Sequence, residues 1–83
     1  MADTQTFRLV VTSVEGAKFE DDAVSVTVPG AAGEMTLLAK HEPIITTLKP
    51  GTITVRKSAS DAQTFPIEKG VMECSGNRVT ILL

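Results

Sequence analysis

A chain of 83 residues, with 42% hydrophobic and 22% charged side chains and a net charge of −2, reads as one small globular domain spanning residues 1–83, too apolar for intrinsic disorder. At this size roughly 60–65% of the unfolded chain's surface is buried, which allows one core and no separate catalytic domain. No basic stripe is available to neutralise a phosphate backbone, and three Phe with no Tyr or Trp offer little for base stacking, so nucleic acid is excluded as the main partner.

The chain opens with the polar run Met1-Ala2-Asp3-Thr4-Gln5-Thr6, which has neither the apolar stretch of a signal peptide nor the Arg-rich pattern of a transit peptide. Nine Val, five Ile and eleven Thr then favour strands over helices. Phe7, Leu9 and Val11 alternate with Arg8, Val10 and Thr12. Successive strand side chains point to opposite faces, so this segment offers one apolar face to a core. Glu15-Gly16 marks a turn, and Glu20-Asp21-Asp22 reads as a second, solvated one. Alternation resumes at Val24, Val26 and Val28 and stops at the loop Pro29-Gly30-Ala31-Ala32-Gly33.

Leu37–Leu48 is the best stretch for a helix, but it contains Pro43 and the β-branched run Ile44-Ile45-Thr46-Thr47. It reads instead as a strand, a loop and a strand. Pro50-Gly51 suits the centre of a type II turn. Ile53 and Val55 lie on the next strand, with a turn at Ser58-Ala59-Ser60-Asp61 after it. Pro66 sits in a strand-like run and cannot donate to a ladder, so that strand belongs at an edge or its N–H position faces outward. Turn signals at Lys69-Gly70 and Ser75-Gly76-Asn77 frame Met72 and Cys74, and Gly76-Asn77 can supply the positive φ of a tight hairpin. Val79, Ile81 and Leu83 complete the pattern. Short strands at such regular spacing predict an all-β sandwich or barrel.

Few residues carry chemistry. His41 is the one histidine, with only Glu34 and Glu42 near it in sequence, which is too few ligands for a metal site. Cys74, the one cysteine, forms no internal disulfide and reads as a small buried hydrophobe rather than a nucleophile. The chain therefore reads as a soluble domain of a reducing compartment. The acidic triplet lacks the spacing of a calcium loop, and Gly30-Ala31-Ala32-Gly33 lacks the Lys-Ser/Thr of a phosphate-binding loop. These residues suggest a binding or structural module with no cofactor and no catalytic residue.

Residues 30–51, Gly-Ala-Ala-Gly-Glu-Met-Thr-Leu-Leu-Ala-Lys-His-Glu-Pro-Ile-Ile-Thr-Thr-Leu-Lys-Pro-Gly, resemble the signature of the epsilon subunit of the F-type ATP synthase, called delta in mitochondria. That family carries a Gly-Glu-Leu-Gly-Ile-Leu-Pro-Gly-His-Ala-Pro-Leu-like stretch followed by Leu-Lys-Pro-Gly. Gly33, Glu34, His41, Pro43 and Leu48-Lys49-Pro50-Gly51 fall in register with it. Leu9–Ser13 with Phe19, Glu68–Glu73 and Asn77–Leu82 resemble further family segments, so the likeness covers nearly all of residues 7–82. Thr36 stands where the family has Gly, Ala39-Lys40 where it has Pro-Gly, and Lys69 where it has the first Gly of a Gly-Gly pair.

The resemblance implies a flattened antiparallel β-sandwich of about ten short strands. It implies a non-catalytic rotor part of a proton-translocating synthase, peripheral on the cytoplasmic face of the bacterial plasma membrane and membrane-associated only through the complex. One surface would bind the gamma subunit and one end the c-ring. Gly30, Gly33 and Glu34 match the c-ring region, and His41 and Pro43 lie in the following loop, where the family makes stalk contacts. The family's usual C-terminal helical hairpin, which restrains ATP hydrolysis, is not expected in a chain that stops at Leu83. Two other readings compete. A lipoyl- or biotinyl-type carrier would need a modifiable lysine at a tight hairpin, with Lys69 or Lys40 as candidates. An oligonucleotide-binding barrel is disfavoured by the acidic charge and sparse aromatics.

Overall fold

The computed structural model describes residues 5–58 and 60–83. The first four residues of the polar opening and Ala59 of the expected turn lie outside them. The described chain forms nine strands: β1 (Phe7–Ser13), β2 (Gly16–Ala23), β3 (Ser25–Gly30), β4 (Gly33–Leu38), β5 (Ile44–Leu48), β6 (Gly51–Ser58), β7 (Asp61–Ile67), β8 (Gly70–Ser75) and β9 (Arg78–Leu82). No helix occurs among the described residues. The all-β sandwich expected from the sequence is therefore observed, with nine strands rather than about ten.

The strands run in the order β2-β1-β9-β8-β5-β3-β6-β7, with β4 on the free side of β3. Only one residue pair, Gly30 with Leu48, joins β5 to β3. The sheet folds over at that narrow joint into two layers, β2-β1-β9-β8-β5 and β4-β3-β6-β7. On the opposite side the chain passes from β2 into β3 through Val24, whose N–H donates to the Arg56 carbonyl at 2.7 Å. There Phe19 of β2 meets Phe65 of β7 edge-on, with centroids 6.3 Å apart. The Lys57 ammonium of β6 meets the Asp21 carboxylate at 2.8 Å. Both contacts bind the layers along that side.

Alternation explains the core. Phe7, Leu9 and Val11 of β1, Val26 and Val28 of β3, Ile53 and Val55 of β6, Met72 and Cys74 of β8, and Val79 and Ile81 of β9 are all buried in one cluster. Fully burying each Val, Leu, Ile or Phe contributes roughly 1.5–3 kcal/mol. No buried side-chain nitrogen or oxygen among the described residues lacks a hydrogen-bond partner, so this burial is not offset by stranded polar groups.

Leu37–Leu48 is a strand, a loop and a strand, as its Pro and β-branched residues require. Pro66 lies on β7, which pairs on one side only. Gly76 and Asn77 have φ of 57° and 59°, the left-handed pair of a two-residue hairpin turn. Pro50-Gly51 is not a type II turn, because Gly51 does not have a positive φ. It opens β6 against Pro29, and a Cβ at Gly51 would stand 2.8 Å from the Pro29 Cβ. The glycine is needed there for close approach.

Two wider expectations also change. Glu20-Asp21-Asp22 is not a turn but the end of β2, opposite Val10, Leu9 and Arg8. Arg8 holds Glu20 and Asp22 at 3.9 and 3.7 Å, and Asp21 is taken by Lys57, so cations from β1 and β6 keep the acidic run extended. The sheet is also not wholly antiparallel: β1 and β9 run parallel, Arg8 beside Arg78 through Thr12 beside Leu82. The first and last strands thus lie side by side in the middle of one layer.

Candidate functional site

The loops gather at two ends of a body 39 × 23 × 20 Å. At one end are the turn between β1 and β2, the β3–β4 hairpin, the β5–β6 connection and the β7–β8 connection. At the other are the loop from Ala39 to Pro43, the β8–β9 turn and the entry to β1. The residues singled out from the sequence divide between these ends. β4 separates them, and its six residues at about 3.3 Å each span roughly 17 Å. Gly30, Gly33 and Glu34 therefore form one site, and His41 and Pro43 another.

The first site is the tip of the β3–β4 hairpin. Gly30 faces Gly33 in register, with exposed Ala31 and Ala32 between them. Gly33 has φ 139°, a conformation that L side chains rarely adopt. A Cβ on Gly30 would come within 2.7 Å of the Gly33 carbonyl oxygen and 3.2 Å of Met35 Sδ. Both glycines are thus required by geometry, one for its dihedral and one for its neighbours. The Ala31 N–H donates to the Thr47 carbonyl at 2.9 Å, and the Lys49 N–H donates to the Pro29 carbonyl at 2.9 Å. These bonds anchor the tip to β5. Glu34 is exposed on the first turn of β4 after the tip, with its carboxylate available to a partner. Thr36, where the resembled signature has Gly, shares a hydrogen bond with Thr27 across the outer face at 2.9 Å.

The second site is the loop Ala39–Pro43. His41, Glu42 and Pro43 are exposed. The His41 Nδ1–H donates to the Glu42 carbonyl at 2.8 Å. A carbonyl only accepts, so Nδ1 is the donor of this bond. Pro43 lines an open groove of about 410 Å³ with Ile44, Ile45, Glu73, Cys74 and Ser75. Cys74 is buried, and its thiol lies 4.0 Å from the His41 backbone carbonyl. Burial pushes that thiol above its ordinary pKa, the opposite of what a nucleophile needs. Among the described residues no three His, Cys, Asp or Glu side chains gather as a metal-holding group.

Between the two ends, the outer face of β5, β8 and β9 carries exposed apolar side chains. Ile45, Val71 and Leu82 are 71%, 40% and 54% exposed. Val71 is opposite Leu82 on one side and Thr47 on the other, so these groups share one face. The two lysines considered for a carrier are differently placed. Lys69 lies in the connection between β7 and β8, and Lys40 in that between β4 and β5. Neither connection joins paired strands, so neither lysine has the hairpin a carrier domain uses.

Residues 6–83 match the family model described as the ATP synthase delta/epsilon chain, beta-sandwich domain. The chain belongs to this family. It is 37% identical to the ATP synthase epsilon chain of Chelativorans sp. strain BNC1 over 99% of its own length and 59% of the relative's. It is 39% identical to that of Rhodobacter capsulatus over 99% and 60% of the two lengths. The 83 residues thus span about three fifths of the curated relatives they match. Its fold superposes on a chain of the Euglena gracilis mitochondrial ATP synthase, in an OSCP/F1/c-ring structure, with TM-score 0.85 and 23% identity, covering 99% of this chain and 52% of that one. A chain from the central stalk and c-ring of the Tetrahymena thermophila mitochondrial enzyme gives 0.79 at 14% identity, covering 98% and 65%. At those identities the structural likeness is one of fold. It agrees with the delta/epsilon assignment, which rests on the sequence.

The family resemblance singled out the tip glycines, Glu34, His41 and Pro43 as candidates. It missed Asn77 as a partner of the second site. The Asn77 side chain reaches the loop across 37 residues of sequence, and the local pattern Ser-Gly-Asn signals only a turn.

Proposed function

We propose that the chain is a non-catalytic central-stalk piece of a proton-translocating F-type ATP synthase, linking the gamma subunit to the membrane c-ring. It supports the coupling of proton flow to ATP synthesis that is catalysed by other subunits. In a bacterium it would lie on the cytoplasmic face of the plasma membrane, held there through the complex. The observation that carries this reading is the family match over residues 6–83.

The geometry supports a division of labour. The Gly30–Glu34 tip is glycine-shaped, anchored to β5 and ends in an exposed carboxylate, which suits it to the polar loops of the c-ring. An exposed ion pair there contributes only about 0–1 kcal/mol, so shape at the tip matters more than the charge of Glu34. The gamma-facing surface is the His41–Pro43 end with the adjoining face of Ile45, Val71 and Leu82. Apolar burial of such groups supplies most of the affinity. A close-packed sandwich has low compressibility and transmits torque between its two ends without a hinge.

The reading is tested by co-purification of the tagged chain with its cognate gamma subunit. A stoichiometric complex with no nucleotide turnover of the chain alone is expected. Absence of any complex with gamma overturns the proposal. An intact mass raised by a lipoyl or biotinyl group would replace it with the carrier reading.

A further inference from the structure

Among the described residues, two non-glycine residues hold a left-handed backbone: Lys40 at φ 62° and Asn77 at φ 59°. They lie far apart in sequence and touch in space. The Lys40 N–H donates to the Asn77 side-chain Oδ1 at 2.7 Å. The Asn77 Nδ2 donates to the Thr6 carbonyl at 3.0 Å. The Asn77 backbone carbonyl accepts from the Arg8 N–H at 3.2 Å. One side chain on the β8–β9 turn therefore joins the Ala39–Pro43 loop to the entry of β1.

The residue type fits the task. Left-handed backbone disfavours most L residues, and Asn tolerates it better than most. Its amide offers an acceptor and a donor on one short stem. Asp keeps the acceptor for Lys40 but sets a second oxygen against the Thr6 carbonyl. Gly keeps the dihedral and loses both bonds. Lys40 has no such tolerance of its own, so its conformation has to be imposed from outside the loop. It is imposed by the Asn77 amide at Lys40 and the weak Cys74 contact to the His41 carbonyl, 4.0 Å.

We propose that Asn77 is the positioning residue of the partner-binding loop. Through the Lys40 amide it holds the chain reversal that sets the direction in which His41 and Pro43 leave the body. The partner half of this inference rests on the central-stalk reading, and the loop-holding half does not.

The test compares Asn77→Gly and Asn77→Asp with the parent in the full chain. Two quantities are read: amide hydrogen exchange at Lys40 and binding to the cognate gamma subunit. If Asn77 positions the loop, Asn77→Gly speeds Lys40 exchange about tenfold through local opening. It weakens gamma binding about fivefold, because the loop must then be ordered on binding. Asn77→Asp keeps Lys40 protected and recovers most of the binding. A residue needed only for the left-handed turn predicts something else: Gly and Asp both serve that turn, so exchange at Lys40 and binding would match the parent in both variants. That result overturns the proposal. Exchange that rises equally in Gly and Asp overturns it as well, because the acceptor would then be irrelevant. If the parent itself does not bind gamma, the central-stalk reading has failed. Lys40 exchange then decides the loop-holding half alone, with no change in Asn77→Gly refuting it.

Discussion

Lys40 stands where the resembled signature has Gly, and it retains the backbone that a glycine would adopt, at φ 62°. A left-handed residue costs about 1–2 kcal/mol, and a glycine loses about 0.5–1 kcal/mol more backbone freedom on folding than alanine. Lys40→Gly is therefore expected to raise stability by about 0.5–1 kcal/mol, measurable as an increase in the urea midpoint at unchanged slope. Asp21 and Lys57 act at the same scale. The hydrogen bond from Lys57 holds the Asp21 carboxyl below its ordinary pKa, and the Asp21 carboxylate raises Lys57 in return. A depressed carboxylate contributes stability above its unfolded pKa, near 4, and loses it as pH falls through the lower folded value. Raised Lys57 contributes below its unfolded pKa, near 10.4, and loses it as pH rises through the folded value. Asp21→Asn should thus melt slightly below the parent at pH 7, and the gap should close as pH falls through the lowered folded value. Both groups are only half-buried, so the difference at pH 7 should shrink in high salt.

Strands are where the sequence was most readable. Alternation located the buried faces of β1, β3, β6, β8 and β9 because a strand repeats every two residues. It does not encode strand direction, so the parallel pairing of β1 with β9 left no local trace. Charge misled at Glu20-Asp21-Asp22, where three adjacent acids look like solvent-facing loop. Arg8 and Lys57 come from elsewhere in the chain and make a strand tolerable there. Pro50-Gly51 misled for a related reason. The dipeptide names a turn type, but the requirement on Gly51 comes from Pro29, a residue distant in sequence. Gly51→Ala would place its Cβ 2.8 Å from the Pro29 Cβ, against a rigid ring that has no rotamer to escape into. The start of β6 must then shift, at an expected cost of about 1–3 kcal/mol. Thermal denaturation of the variant measures it, and a midpoint equal to the parent's would show that the contact relaxes freely.

Seen whole, the molecule is a filled sandwich with unlike ends. The motif that carried the family resemblance runs through one contiguous stretch of sequence, yet β4 carries it from the tip to the opposite pole and β5 returns it, so that Leu48–Gly51 lie beside the tip. The resemblance singled out its candidate residues but not their separation, because only the fold shows that the hairpin tip points away from the Ala39–Pro43 loop. That separation is what a stalk piece between two partners requires. The direct measurement is disulfide cross-linking in the assembled synthase, with Cys74 replaced by alanine and single cysteines introduced by Glu34→Cys and His41→Cys. With complementary cysteines on the partners, Glu34→Cys should link to the c-ring loops and His41→Cys to gamma. Links from both positions to the same partner, or none from either in an assembled and active complex, would contradict the account.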